Sequence, residues 1–290
     1  MEGKKGKPIY FSSLAYLHES SFEIGLKAKK WTGRIQGLGR YDGNQLDMEG
    51  FLEIKKGTLG DQPFQNLTTS FKVHQNRLDF PNIHAKVYGG QLGGRFSIAF
   101  YHPLPYEGEF SIQKASLKEL IESNFPKEKS PSRPIKGIFR GYCKIYGNAK
   151  FERSLKGRAW FLVEKAKILR FPSFLGVVLD TLSFKFLSMK KRPAFQRCWI
   201  QFHIDNGALH FEEKQLMIES NQLTIFGKGT ITFKKRLNLQ ITWALGPRIQ
   251  VLEPLFDIFK ESIFFYIEVK GKTKKPVIRI RAFKAFQPPK

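Results

Sequence analysis

The stretch FQRCWIQFHIDNGALHF, residues 195–211, repeats in outline the stretch FQNLTTSFKVHQNRLDF, residues 64–80. Phe64 and Phe195 stand 131 residues apart, and so do Phe71 and Phe202, Leu78 and Leu209, and Phe80 and Phe211. No gap is needed across the seventeen residues. Each copy alternates apolar with polar side chains, then turns through Gln75-Asn76 or Asn206-Gly207 into Leu-x-Phe. Alternation of period two on both sides of a turn signal describes a β-hairpin with one apolar and one wet face. A hairpin written twice makes the chain a repeat of β-meander modules.

The same alternation extends in both directions. Leu237, Leu239, Ile241, Trp243 and Leu245 share one phase of LNLQITWAL, with Asn238, Gln240 and Thr242 on the other. LTIFGKGTITF alternates through Leu223, Ile225, Ile231 and Phe233, and NQLDMEGFLEI through Leu46, Met48, Leu52 and Ile54. Asp42-Gly43 adds another turn signal. Sixteen to eighteen strands follow from this spacing. Helical spacing is confined to three short segments, 115–124, 172–188 and 251–262. The Pro- and charge-rich run 127–134 cannot sit inside a ladder and reads as a linker. It separates a first β repeat module, 1–126, from a second, 135–290, although both could belong to one continuous sheet.

Composition narrows the partners. The 290 residues carry 49 Lys and Arg against 25 Asp and Glu, a formal charge of +24. An excess of that size points to an anionic partner, either nucleic acid or a lipid surface. Residues such as KFERSLKGRAWF and MKKRPAF mix cations with rings, yet no RNP, KH or helix-turn-helix signature accompanies them. Nucleic acid is therefore the lesser expectation. The start, MEGKKGKPIYFSSLAYLHESS, has no continuous apolar core of a signal peptide, and no run reaches the ~20 apolar residues of a membrane span. The two cysteines, Cys143 and Cys198, have no CxxC spacing, which favours two buried thiols over a single disulfide.

Chemistry-bearing motifs are lacking. GGQLGG (89–94) lies between two strand patterns, where a dinucleotide fingerprint needs a following helix, so a turn or bulge is expected. GKGT (227–230) is only part of a phosphate-binding loop and sits within an alternating strand, where its glycines relieve crowding. The six histidines form no HxH or HxxxH pair, and His74 and His203 fall on the polar phase. No GxSxG occurs, and the carboxylates are scattered. The reading is of a non-enzymatic protein without metal or cofactor.

What remains is the apolar phase itself, because a sheet this large needs something to cover it. Phe71, Val73, Leu78 and Phe80 in the first copy match Phe202, Ile204, Leu209 and Phe211 in the second. With Leu223, Ile225, Ile231, Phe233, Leu239 and Ile241 they are the candidate groove-lining residues. A β-sandwich closing on itself is the competing arrangement.

The run from Phe195 to Trp243, with Asn206-Gly207, Leu209, Ile218, Gly227, Gly229 and Leu237, resembles the C-terminal region of the AsmA-like family. VKGKTKKPVIRI (269–280), through Gly271, Thr273 and Pro276, is similar to that family's closing motif. GFLEIKKGTLGDQPFQNL and AKVYGGQLGGRFSI are similar to its upstream repeat. Together these cover roughly residues 30–285. The resemblance implies a mainly-β fold: a long curved antiparallel sheet of repeated meander modules forming a hydrophobic groove, with a few short helices. It also implies a cell-envelope protein at the periplasmic face of the inner membrane, linked to outer-membrane biogenesis or phospholipid transport. The partners implied are phospholipid or another anionic lipid, the membrane surface and other envelope proteins. Family members carry an N-terminal anchor helix, which would have to lie upstream of residue 1. The family offers no catalytic residue.

Overall fold

A computed structural model describes residues 7–23, 27–124, 136–149, 151–167, 195–245, 265–273 and 275–282. The described strands are β1 (Ile9–Glu23), β2 (Lys27–Tyr41), β3 (Leu46–Leu59), β4 (Gln62–His74), β5 (Arg77–Val87), β6 (Gly90–Ala99) and β7 (Pro105–Ser116). There follow β8 (Lys136–Asn148), β9 (Phe151–Lys167), β10 (Phe195–Asp205), β11 (Ala208–Ser220), β12 (Leu223–Thr232), β13 (Arg236–Leu245), β14 (Phe265–Lys272) and β15 (Lys275–Ala282). They hydrogen-bond in chain order from β1 to β15 as one antiparallel sheet. The protein is thus mainly β, as the alternation requires, with fifteen described strands.

One helix is described, α1 (Leu117–Asn124), inside the expected segment 115–124. Ser116 caps it, its Oγ accepting from the Glu119 N–H at 3.3 Å, which satisfies one of the orphan donors of the first turn. The other two expected helices, 172–188 and 251–262, and the linker 127–134 lie outside the described residues. The chain divides into two compact units, Met1–Lys129 with Phe139–Gly157, and Ser130–Ile138 with Arg158–Lys290.

The doubled sequence is a doubled hairpin. Residues 64–80 span β4, the turn and the start of β5, with Val73 opposite Leu78 and His74 opposite Arg77. Residues 195–211 span β10, the turn and the start of β11, with Ile204 opposite Leu209 and Asp205 opposite Ala208. Both residues of each turn have positive φ: 48° and 57° at Gln75-Asn76, 51° and 71° at Asn206-Gly207. That is the two-residue turn whose twist matches paired strands. The cross-strand ring contact recurs too, Phe71 to Phe80 at 6.5 Å and Phe202 to Phe211 at 5.6 Å between centroids.

The repeat runs further than the quoted letters. Ile83, Gly94 and Phe110 form one row across β5, β6 and β7, matched by Leu216, Gly227 and Ile241 across β11, β12 and β13. Leu78, Ile98 and Tyr106 match Leu209, Ile231 and Leu237 in the same way. Each copy breaks register just after its last Phe, between Phe80 and Ile83 in β5 and between Phe211 and Leu216 in β11. The second bulge is the larger, so the simple offset of the two sequences is lost there.

Candidate functional site

In the second unit, direct cross-strand pairing puts the apolar phase of every strand on one face. Ile218 pairs with Ile225 and Ile225 with Trp243; Leu239 pairs with Val269 and Val269 with Ile278. Phe195, Cys198, Phe211, Leu216, Ile218, Leu223, Ile225, Leu237, Leu239, Ile241, Ile267 and Val269 form one buried cluster. Half-buried Ile200, Phe202, Leu209, Ile231, Trp243 and Ile278 pack around it. The first unit builds a smaller cluster from Ala28, Trp31, Leu52, Ile54 and Phe64, with Leu17, Ile35, Leu67, Phe80 and Val87 against it. Trp31 anchors it, in edge contact with Phe22 and Phe64 and donating Nε1–H to the Thr58 carbonyl at 2.9 Å.

Glycine lets these faces fill themselves. A Cβ on Gly50 would lie 2.7 Å from Phe71 Cζ. The Phe71 ring therefore lies down over the neighbouring strand, and a ring covering glycine is a recognised way to bury a sheet face. Phe96 likewise stacks on Tyr106 at 6.2 Å.

All fourteen candidate residues are buried or half-buried, none exposed. They do not have equal access. Leu223, Ile225, Leu239 and Ile241 are at most 3 % exposed and act as floor. Phe71, Ile204 and Phe211 are buried as well. Val73, Leu78, Phe80, Phe202, Leu209, Ile231 and Phe233 remain half-exposed, and they are where an incoming group would make contact. Phe233 departs from the strand expected for it: it occupies the turn after β12, its N–H donating to the Gly207 carbonyl at 2.8 Å.

Sequence reading missed Leu216, Ile267 and Val269 as parts of this surface. The bulge in β11 inverts the alternation ahead of Leu216, and Glu212 N–H donates to Gln215 Oε1 across it at 2.9 Å. Ile267 and Val269 alternate correctly, and that signal was open to use. A small second apolar patch lies on the other face of the second unit. There Trp160 stacks on Trp199 at 5.5 Å, and Met217 stands between Trp199 and Phe226 in the ladder.

The rest of that opposite phase is polar and laced with ion pairs. In the first unit Arg34 meets Glu53 at 2.7 Å, and Arg77 meets Asp79 at 2.8 Å and Glu107 at 2.9 Å. Arg95 meets Glu109 at 2.6 Å. The hydrogen bond from Arg95, with another from the Tyr142 hydroxyl, holds the Glu109 carboxyl below its usual range. His74 does the same for Asp47, and Lys270 for Glu268 in the second unit. Arg77, Asp79, Arg95, Glu107, Glu109 and Lys144 line a shallow charged cleft on the first unit. Its three carboxylates are all paired with Arg77 or Arg95, so it presents no free base.

Among the described residues no group of three or more His, Cys, Asp or Glu is placed to hold a metal. His203 and His210 stack at 4.7 Å as a cross-strand pair. Cys143 and Cys198 are both free thiols, the first half-buried and the second buried. No described helix is long and apolar enough to cross a membrane. No family model, curated protein or solved structure matches the chain.

Proposed function

We propose that the apolar sheet face of each unit holds lipid acyl chains. On this reading the chain is a non-enzymatic, AsmA-like protein of the cell envelope, working at the periplasmic face of the inner membrane in outer-membrane biogenesis or phospholipid transport. The observation that carries it is a continuous apolar face over which the described residues lay little. Substantial contacts between described elements run between strands adjacent in the sheet, apart from those of α1 with β4 and β7. A face of this kind needs a cover, and an acyl chain is a cover of the right chemistry and length. The row Leu216, Gly227, Ile241, Ile267 and Ile280 crosses five strands. At ~4.8 Å per strand spacing it is ~19 Å long, against ~15 Å for one leaflet's share of a ~30 Å hydrocarbon core. Burying ten methylenes out of water contributes about 8 kcal/mol.

Titration with a fluorescent acyl-chain probe tests this. Saturable binding is expected, and Phe80→Asp with Leu209→Asp should abolish it while the far-ultraviolet dichroism stays that of the parent. Both side chains are half-exposed, so the charges meet the ligand before they meet the floor. Unchanged binding in that variant would remove the apolar face from the function.

A further inference from the structure

The second unit ends, on the side of its hairpin turns, in five exposed cations. Lys234 and Lys235 occupy the turn between β12 and β13, and Arg236 opens β13. Arg236 lies directly opposite Lys272, and Lys272 directly opposite Lys275. Three like charges therefore stand side by side across β13, β14 and β15, an arrangement that opposes sheet formation. Two nearby cations on the same strands are paired: Lys270 meets Glu268 at 2.7 Å and Arg281 meets it at 3.6 Å. None of the five forms an ion pair among the described residues.

The turns that carry them are fastened together. Phe233 N–H donates to the Gly207 carbonyl at 2.8 Å, and Thr273 N–H donates to the Lys235 carbonyl at 2.9 Å. Arg236 N–H donates to Thr232 Oγ1 at 3.1 Å. The other copy of the module provides an internal control. There Phe100 N–H donates to the Asn76 carbonyl at 2.6 Å, the same turn-to-turn bond one module earlier. Its connecting residues, Phe100, Tyr101, His102, Pro103 and Leu104, contain no Lys or Arg. The framework therefore forms without the cations. Lys234 and Lys235 have no Lys or Arg counterpart in that connection, and their clustering with Arg236, Lys272 and Lys275 against mutual repulsion points to an anion from outside the unit.

We infer that this turn edge, Lys234, Lys235, Arg236, Lys272 and Lys275, docks on the phosphate-bearing surface of an anionic lipid bilayer. A bilayer fits better than a nucleic acid because Phe233 is the one ring adjoining these cations in sequence, where a strand of bases would need a series of them. The apolar face also ends at the same edge, in half-exposed Phe233, Leu209 and Ile231, where tails leaving the bilayer would first meet it. The inference rests on the acyl-chain reading only for that last point, since docking needs the cations alone.

Sedimentation of the full chain with vesicles tests it, using phosphatidylcholine alone or mixed equally with phosphatidylglycerol. Each Lys or Arg near an anionic surface strengthens partitioning about fivefold. Lys234→Gln, Lys235→Gln, Arg236→Gln, Lys272→Gln and Lys275→Gln together should then weaken binding to the mixed vesicles by about three-thousandfold. That variant should melt no lower than the parent, because a like-charge row has been removed, and should still bind the acyl-chain probe. Loss of probe binding in Phe80→Asp with Phe202→Asp, both half-exposed and away from the turn edge, with vesicle docking kept, would separate the two sites and support both readings. Equal sedimentation of parent and Gln variant would overturn the docking inference. So would single-stranded RNA that displaces the mixed vesicles from the parent at equal phosphate concentration.

Discussion

Gly227 and Gly229 stand two residues apart on the same face of β12, yet alanine should be tolerated at one and rejected at the other. At Gly229 φ is +128°, a conformation that side chains with a Cβ rarely adopt, and holding such a residue there costs about 1–3 kcal/mol. The new methyl would also overlap the Asn238 carbonyl oxygen and lie 2.9 Å from Leu239 Cα. Both are backbone atoms of β13, so relief requires the strand to move. Together these effects put Gly229→Ala at about 3 kcal/mol or more, the range reserved for strained backbone and core overpacking. At Gly227 a methyl meets only side-chain tips, Leu216 Cδ2 at 3.0 Å and Ile241 Cδ1 at 3.1 Å. They can yield by a few tenths of an ångström, and alanine recovers about 0.5–1 kcal/mol of backbone entropy. Gly227→Ala should therefore fall within about 1 kcal/mol of the parent. Thermal melts followed by circular dichroism measure both. At 2–4 °C per kcal/mol for a unit of this order of size, Gly229→Ala should lower the midpoint by about 6–12 °C and Gly227→Ala by no more than about 4 °C. Equal shifts, or the reverse order, would show that β12 and β13 are not paired as Gly229 with Leu239.

Three other outcomes follow from local chemistry. Burial pushes the Cys198 thiol up to about 12, so at pH 8 only about one molecule in ten thousand carries the thiolate that reacts. In a Cys143→Ser background, a disulfide-exchange reagent should titrate nothing until denaturant is added, and rapid native labelling would contradict the burial. Asp47, Glu109 and Glu268 have folded pKa values below their unfolded ones. The unfolded chain then takes up protons first on acidification. Their contribution is complete above about pH 5 and is lost as the pH falls from the ordinary carboxylate range near 4 through the lower folded values, so urea midpoints should be flat from pH 6 to 7 and fall below 5. Arg77→Ala removes two exposed ion pairs and should cost no more than about 1 kcal/mol; a larger loss in urea denaturation would mean that the polar face is structural.

Much of the architecture was open to reading because antiparallel strands with one wet face write their burial directly as alternation. The hairpin at residues 195–211, its turn and its apolar phase all follow from that rule and from Asn206-Gly207. The continuation of the repeat was hidden by two bulges of different size, which shift the phase at Leu216 and leave Ile83 as its unrecognised counterpart. Alternation also says which face a residue takes and not how deeply it lies. Ile225 and Ile231 look equivalent in sequence, yet one is fully buried and the other half-exposed, because Ile225 stands among Ile218 and Trp243 while Ile231 stands near the turns. The cation row was invisible for a different reason. Arg236, Lys272 and Lys275 become neighbours only through the pairing of three strands.

Native mass spectrometry of the full chain, gently purified from a Gram-negative host and followed by lipid extraction, tests the central claim most directly. Stoichiometric phospholipid on the parent, absent from folded Phe80→Asp with Leu209→Asp, is the expected result. A well-folded parent that carries no lipid would mean that the apolar faces cover themselves, and the acyl-chain reading would be wrong.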